Sequence, residues 1–225
     1  MTALRTPYFL LDERALERNL EVIDAVRARS GAKSVLALKC FSTWSVFPLM
    51  AKHLDGTTSS APFEARLGRE RFGGEVHAYS VGFSRDDVVE VAQYADKVIF
   101  NSASQFRDLS SLVDGPSVGV RVNPGVSHSH YDLADPARRH SRLGITDDAE
   151  LRAVAGGIDG LMFHFNCEND DVDDLLRSID AIAARYGDVL GSVDWVSLGG
   201  GIAFTSPDYP LDRFCDALRG FADRF

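Results

Sequence analysis

Short apolar runs alternate with amphipathic segments almost from end to end of the chain. Leu16, Leu20, Ile23 and Val26 recur at helical spacing and predict an early helix. Residues 34–38 then read as a strand, 46–53 as a helix and 56–60 as a strand. The pattern repeats: helix 63–72 and strand 76–81, helix 88–95 and strand 98–100, helix 106–113 and strand 118–122. After a long irregular stretch, 123–142, come helix 148–155 and strand 161–165. Leu175, Leu176, Ile179, Ile182 and Ala183 define the next helix face, followed by strand 193–198 and a closing helix, 211–225. Residues 8–11 are a further strand candidate outside the repeat.

Regular alternation of helix and strand implies parallel strands joined by right-handed crossovers. The predicted class is therefore α/β, a (β/α)8-type barrel with seven of its eight strands present. In such a barrel the chemistry lies where strands end and loops begin. Lys39 ends the first strand, Thr58 lies near the end of the second and Arg121 near that of the fifth. His164 and Cys167 follow the sixth, and Gly199, Gly200 and Gly201 follow the seventh. The 123–142 stretch is long enough to expect a function of its own.

Composition narrows the partners. The chain has 225 residues and a formal net charge of −9, which argues against nucleic acid or an anionic membrane as the main partner. No apolar run reaches the ~18 residues needed to span a bilayer. Cys40, Cys167 and Cys215 are far apart and form no CxxC pair, so a reduced, cytoplasmic setting is expected.

Each rim residue carries two readings. Lys39 is either a solvated strand end or a partly desolvated amine able to form a Schiff base with an aldehyde cofactor such as pyridoxal phosphate. The glycines are either a flexible turn or backbone that approaches an anion closely. His164, between two phenylalanines, is either a satisfied core residue or a flat partner for an aromatic cofactor. Glu64 and the hydroxyls of "DGTTSS" lie near the Lys39 rim; their alternative is a helix cap from Ser59 or Ser60. His128 and His130 form an HxH pair with no third metal ligand at a characteristic spacing, beside Arg138, Arg139 and Arg142, so the loop reads as an anion site or a solvated segment rather than a metal site.

Taken together, "TPYFLLDERALERNL", "ALKCFSTWSVFPLM", "DGTTSS", "HAYSVGFS", "RVNPGVSHSHYDLADPARRHSRLGI", "FHFNCEND" and "SLGGGIAFT" resemble the carboxynorspermidine/carboxyspermidine decarboxylases. These enzymes are among the pyridoxal-phosphate decarboxylases that share the alanine-racemase barrel. The resemblance implies that Lys39 binds the cofactor covalently, that His164 stacks on its ring and that Gly199, Gly200 and Gly201 hold its phosphate. It places Arg121 near the ring oxygen and Glu64 near the lysine. Thr58 falls where ornithine decarboxylases carry an aspartate, and Cys167 where related enzymes have a phosphate-binding serine. The implied substrate is a small polycationic carboxylated polyamine, and the implied assembly a homodimer. Alternatives are another amino-acid decarboxylase or racemase, or a barrel that binds the cofactor without catalysis.

The resemblance also implies a division of the chain. Residues 1–12 would contribute a strand to a C-terminal β domain, and 13–225 would form the cofactor-binding barrel. Family members continue into an eighth strand with a Glu-Pro-Gly motif and then that β domain, both beyond Phe225. The 225 residues alone are accordingly expected to be weakly active or inactive.

Overall fold

The computed structural model describes residues 5–225. Among the described residues there are nine strands: β1 (Val35–Ala37), β2 (Gly56–Ser59), β3 (Glu75–Tyr79), β4 (Lys97–Phe100), β5 (Ser117–Val122), β6 (His128–Ser129), β7 (Gly160–Phe163), β8 (Asn166–Cys167) and β9 (Trp195–Ser197). Seven of them form one sheet in the order β1-β2-β3-β4-β5-β7-β9, every neighbour parallel. These are the seven strands that the alternation predicts. The short β6 and β8 pair separately. Helices α1 (Glu13–Ser30), α2 (Phe47–Met50), α3 (Pro62–Leu67), α4 (Arg85–Ala92), α5 (Ala103–Leu109), α6 (Asp148–Val154), α7 (Val172–Leu190) and α8 (Leu211–Ala222) alternate with the sheet strands. Asp12, Ser84, Ser102, Asp147 and Asp171 accept backbone N–H groups at the starts of α1, α4, α5, α6 and α7, which satisfies donors that a helix start leaves open.

The two-residue period of the strands sorts their side chains. Val76, Ala78, Val98, Phe100, Val120, Val122, Leu161 and Phe163 are buried in the main core. The alternate positions, Glu75, His77, Lys97, Ser117 and Trp195, meet one another instead. Gly119 and Gly160 make room for the Trp195 indole: a Cβ on Gly160 would stand 2.0 Å from it. Trp195 Nε1 donates to Ser117 Oγ at 2.7 Å, and Lys97 Nζ lies 5.6 Å from the centroid of the indole. Burial of the Glu75 carboxyl works against its ionisation. Hydrogen bonds from Lys33, Lys97 and His77 outweigh that and hold it well below the usual carboxylate range. Because Glu75, Lys97, Ser117 and Trp195 all begin strands, this cluster fills the N-terminal end of the barrel and leaves the C-terminal end as the mouth.

The sheet is an incomplete barrel. Among the described residues β1 and β9 do not pair, and a cleft of about 850 Å³ separates them, bordered by Val35, Trp195 and Ser197. Helices α1 and α8 pack beside one another across that opening, with Arg29 Nη2 2.7 Å from Asp212 Oδ1.

Three predicted elements differ. Residues 8–11 form no strand, and Phe9 and Leu10 are largely exposed. The 46–53 helix is a 3-10 turn, Trp44–Val46, followed by only Phe47–Met50, with Pro48 at its start. The 63–72 helix continues past α3 as a wider π-type turn, Gly68–Phe72, where Gly68 lies against Thr57: a Cβ there would be 2.3 Å from Thr57 Oγ1.

Candidate active site

Lys39 stands two residues past the end of β1. Leu38 donates to the Thr58 carbonyl at 3.0 Å, and the amides of Cys40 and Phe41 turn back to Ala37. The lysine is exposed. The barrel is open between β1 and β9, and the lysine follows that open edge. In register, Ala37 lies beside Thr58 and Thr58 beside His77, so Thr58 occupies the layer beneath Lys39.

Arg121, on β5, is only 3% exposed. Its Nη1 donates to the Tyr79 hydroxyl at 2.7 Å and its Nη2 to the His164 carbonyl at 3.1 Å. The guanidinium also lies over the Tyr79 ring, 5.0 Å from the centroid. Tyr79 donates in turn to Asn101 Oδ1 at 2.8 Å. Asn101 binds the far end of the long loop through Gly144 N–H and the Arg142 carbonyl, both at 2.8 Å. Ile145 exchanges backbone hydrogen bonds with Arg121 and Asn123, which laces that end of the loop along β5. Sequence reasoning did not assign Tyr79 or Asn101 a role. The signal was their position, at the C-terminal ends of β3 and β4 beside the rim that carries Lys39 and Arg121.

His164 follows β7 and contacts the glycine loop. The Gly200 N–H donates to His164 Nδ1 at 3.2 Å, so the neutral ring carries its proton on Nε2. Burial, with the nearby charges of Arg121 and then Lys39, lowers the His164 pKa from 6.5 to about 4. The imidazole is thus neutral at physiological pH, and Lys39, Arg121 and His164 share one electrostatic neighbourhood.

The three glycines are not equivalent. Gly199 and Gly201 have φ of +75° and +82°, in the left-handed region that a Cβ disfavours. A Cβ on Gly199 would meet His164 Nδ1 at 2.6 Å, and one on Gly201 the Asn166 carbonyl at 2.3 Å. Gly200 has open space around it.

Glu64 lies on α3 and accepts the Ser60 N–H at 2.6 Å. The cap residue of α3 is Ala61, with no side-chain cap hydrogen bond, so neither the Ser59 nor the Ser60 side chain plays the capping role considered from sequence. Cys167, on β8, is half-buried and pairs in register with Ser129. Arg121, His164 and the glycine loop thus form one linked group at the mouth, with Lys39 close enough to act on His164. Glu64 and Cys167 occupy the flanks.

An anionic aromatic ligand suits this rim. Two buried donors, Arg121 Nε and Asn166 Nδ2, have no partner among the described residues, and unpaired buried donors are uncommon in folded proteins. Gly199 and Gly201 keep the backbone free of Cβ atoms beside them. The ammonium and guanidinium supply positive charge, and the neutral imidazole a flat surface.

Comparison with known proteins bears on this arrangement. The chain is 53% identical over 222 residues to the carboxynorspermidine/carboxyspermidine decarboxylase of Herminiimonas arsenicoxydans, which covers 99% of this chain and 61% of that protein. Along essentially its whole length, the chain is similar to the carboxynorspermidine/carboxyspermidine decarboxylases. It spans about three fifths of the curated relatives it matches. The crystal structure of carboxynorspermidine decarboxylase from Campylobacter jejuni, complexed with norspermidine, superposes with a TM-score of 0.86 at 31% identity, over 99% of this chain and 57% of that one. Diaminopimelate decarboxylase from Helicobacter pylori superposes with a TM-score of 0.83 over 98% of this chain and 61% of that one; at 15% identity this shows a shared fold alone. The incomplete parallel barrel is therefore the barrel fold of these decarboxylases. No family model matches the chain. No helix among the described residues is long and apolar enough to cross a membrane.

Proposed function

We propose that the full-length protein decarboxylates carboxynorspermidine or carboxyspermidine with pyridoxal 5'-phosphate, in polyamine biosynthesis. The observation that carries this reading is the grouping of Lys39, Arg121, His164 and the Gly199–Gly201 loop at one barrel mouth, within a chain 53% identical to a carboxynorspermidine/carboxyspermidine decarboxylase.

Lys39 would attach the cofactor, His164 and Arg121 would hold its ring, and the Gly199–Gly201 backbone its phosphate, with Thr58, Glu64 and Cys167 around it. When bound, the cofactor accepts the electron pair that a departing carboxylate leaves behind. The chain's own contribution is binding and orientation. Tyr79 and the His164 carbonyl fix the Arg121 guanidinium, and its buried Nε is left without a partner among the described residues. His164 Nδ1 is committed to Gly200 and its Nε2 keeps its proton, so the imidazole packs as a neutral plate and takes no proton from substrate. Glu168, exposed where the chain leaves β8, supplies negative charge that suits a polycationic substrate. We further read the protein as a cytoplasmic homodimer, a setting that fits its three free cysteines.

The test is carbon dioxide release by the purified full-length protein with pyridoxal phosphate. Carboxynorspermidine and carboxyspermidine would be compared with ornithine, diaminopimelate and the substrate class of a 32%-identical relative, carboxyaminopropylagmatine decarboxylase. Highest kcat/KM on the first two supports the reading. Absence of turnover on both, or preference for one of the others, overturns it.

A further inference from the structure

The long loop after β5 carries a group of side chains that the proposed reaction does not use. Strand β6 holds His128 against β8: its N–H donates to the Phe165 carbonyl at 3.0 Å, and His128 pairs in register with Asn166. The His128 side chain is mostly enclosed. Its Nδ1 lies 2.6 Å from Asp174 Oδ2, at the start of α7. A carboxylate accepts only a proton there, so Nδ1 is the protonated nitrogen and the neutral ring presents a lone pair at Nε2. That Nε2 is buried and has no hydrogen-bond partner among the described residues. It faces Asp170 Oδ1 at 3.9 Å, beyond hydrogen-bond reach. His130 Nε2 lies 3.4 Å from the same oxygen, and the two imidazoles meet edge to face with centroids 5.2 Å apart.

We propose that His128, His130 and Asp170 form a binding site for a divalent transition-metal ion of the zinc class, at the seam between the loop after β5 and the start of α7. Asp170 is the third ligand that the HxH spacing alone did not show. The three donor atoms all lie within 4.8 Å of one another. Zinc bonds of ~2.0–2.2 Å in a tetrahedron require donors roughly 3.4 Å apart. The remaining contraction is small, and His130 and Asp170 are exposed enough to make it by side-chain rotation. Asp174 supplies the outer carboxylate that metal-bound histidines usually have on their second nitrogen. Two imidazoles and one carboxylate are a donor set common for zinc, leaving a fourth position for water. Arg138 of the loop is engaged elsewhere, donating to the Leu133 and Asp135 carbonyls. An ion in this site would cross-link the loop to α7. The inference does not depend on the proposed decarboxylation.

The experiment is calorimetric titration of ZnCl2 into the tag-free, chelator-stripped full-length protein, with Co2+ as a spectroscopic substitute. The expected result is one equivalent of zinc per chain and visible d–d absorption of four-coordinate Co2+. Asp174→Asn should weaken binding by about 10–100-fold. His130→Ala and Asp170→Asn, at exposed positions that leave the fold intact, should weaken it at least as much and abolish the Co2+ bands. No zinc uptake near one equivalent, or uptake unchanged in His130→Ala and Asp170→Asn, overturns the proposal.

Discussion

Replacing Gly199 by alanine should damage the protein while the same change one residue later should not. Gly199 has φ of +75°, a conformation that costs a residue with a Cβ about 1–2 kcal/mol. The new methyl would stand 2.6 Å from His164 Nδ1, 2.7 Å from the Phe163 carbonyl oxygen and 2.8 Å from His164 Cα. Two of those three atoms are backbone next to β7 and cannot rotate away, and forcing such a contact apart costs about 1–3 kcal/mol. The combined loss is roughly 2–5 kcal/mol. The Tm should fall accordingly. At Gly200 nothing lies within 4 Å and φ is not positive, so its alanine variant should stay within about 0.5 kcal/mol of wild type. Thermal unfolding of the two variants and wild type, as full-length proteins, reads this directly. A titration of pyridoxal phosphate alongside should show weaker binding for Gly199→Ala, because relief of the clash moves backbone that is read as holding the phosphate. Equal Tm values for the two alanine variants would refute the reasoning about this loop.

Two other perturbations probe the mouth. Tyr79→Phe removes the acceptor of Arg121 Nη1, which should destabilise the protein by about 1–3 kcal/mol in urea unfolding and lower affinity for pyridoxal phosphate; unchanged values for both would count against a role for Tyr79 in fixing the guanidinium. His164 has a pKa of about 4 in the folded protein against 6.5 ordinarily, so between those values the unfolded state holds the extra proton and stability falls as pH falls. The cofactor-free protein should lose up to about 3 kcal/mol across that window, and His164→Phe should flatten that part of the curve; parallel curves would contradict the burial argument.

What the sequence made readable follows from local physics. Apolar runs bounded by amphipathic helices place all seven sheet strands, and parallel order follows from the alternation. The strand-end rule picks out Lys39, His164 and the three glycines before any coordinates. Tyr79 and Asn101 were not legible, because their roles depend on register: they become neighbours of Arg121 only when β3, β4 and β5 lie side by side. Asp170 was hidden for the same reason, being brought to His128 and His130 by the β6–β8 pairing. The exposure of Lys39 goes with the open edge between β1 and β9, which a barrel of seven strands already implied. The 46–53 segment misled because its apolar spacing ignores Pro48, which fits the first turn of a helix better than its middle.

The central claim is that Lys39 holds an aldehyde cofactor covalently at the barrel mouth. Full-length protein saturated with pyridoxal phosphate, reduced with borohydride and digested, should carry a pyridoxyl mass increment on the peptide containing Lys39, and Lys39→Ala should lack it. An unmodified Lys39 peptide, or the increment on a different lysine, would contradict the account.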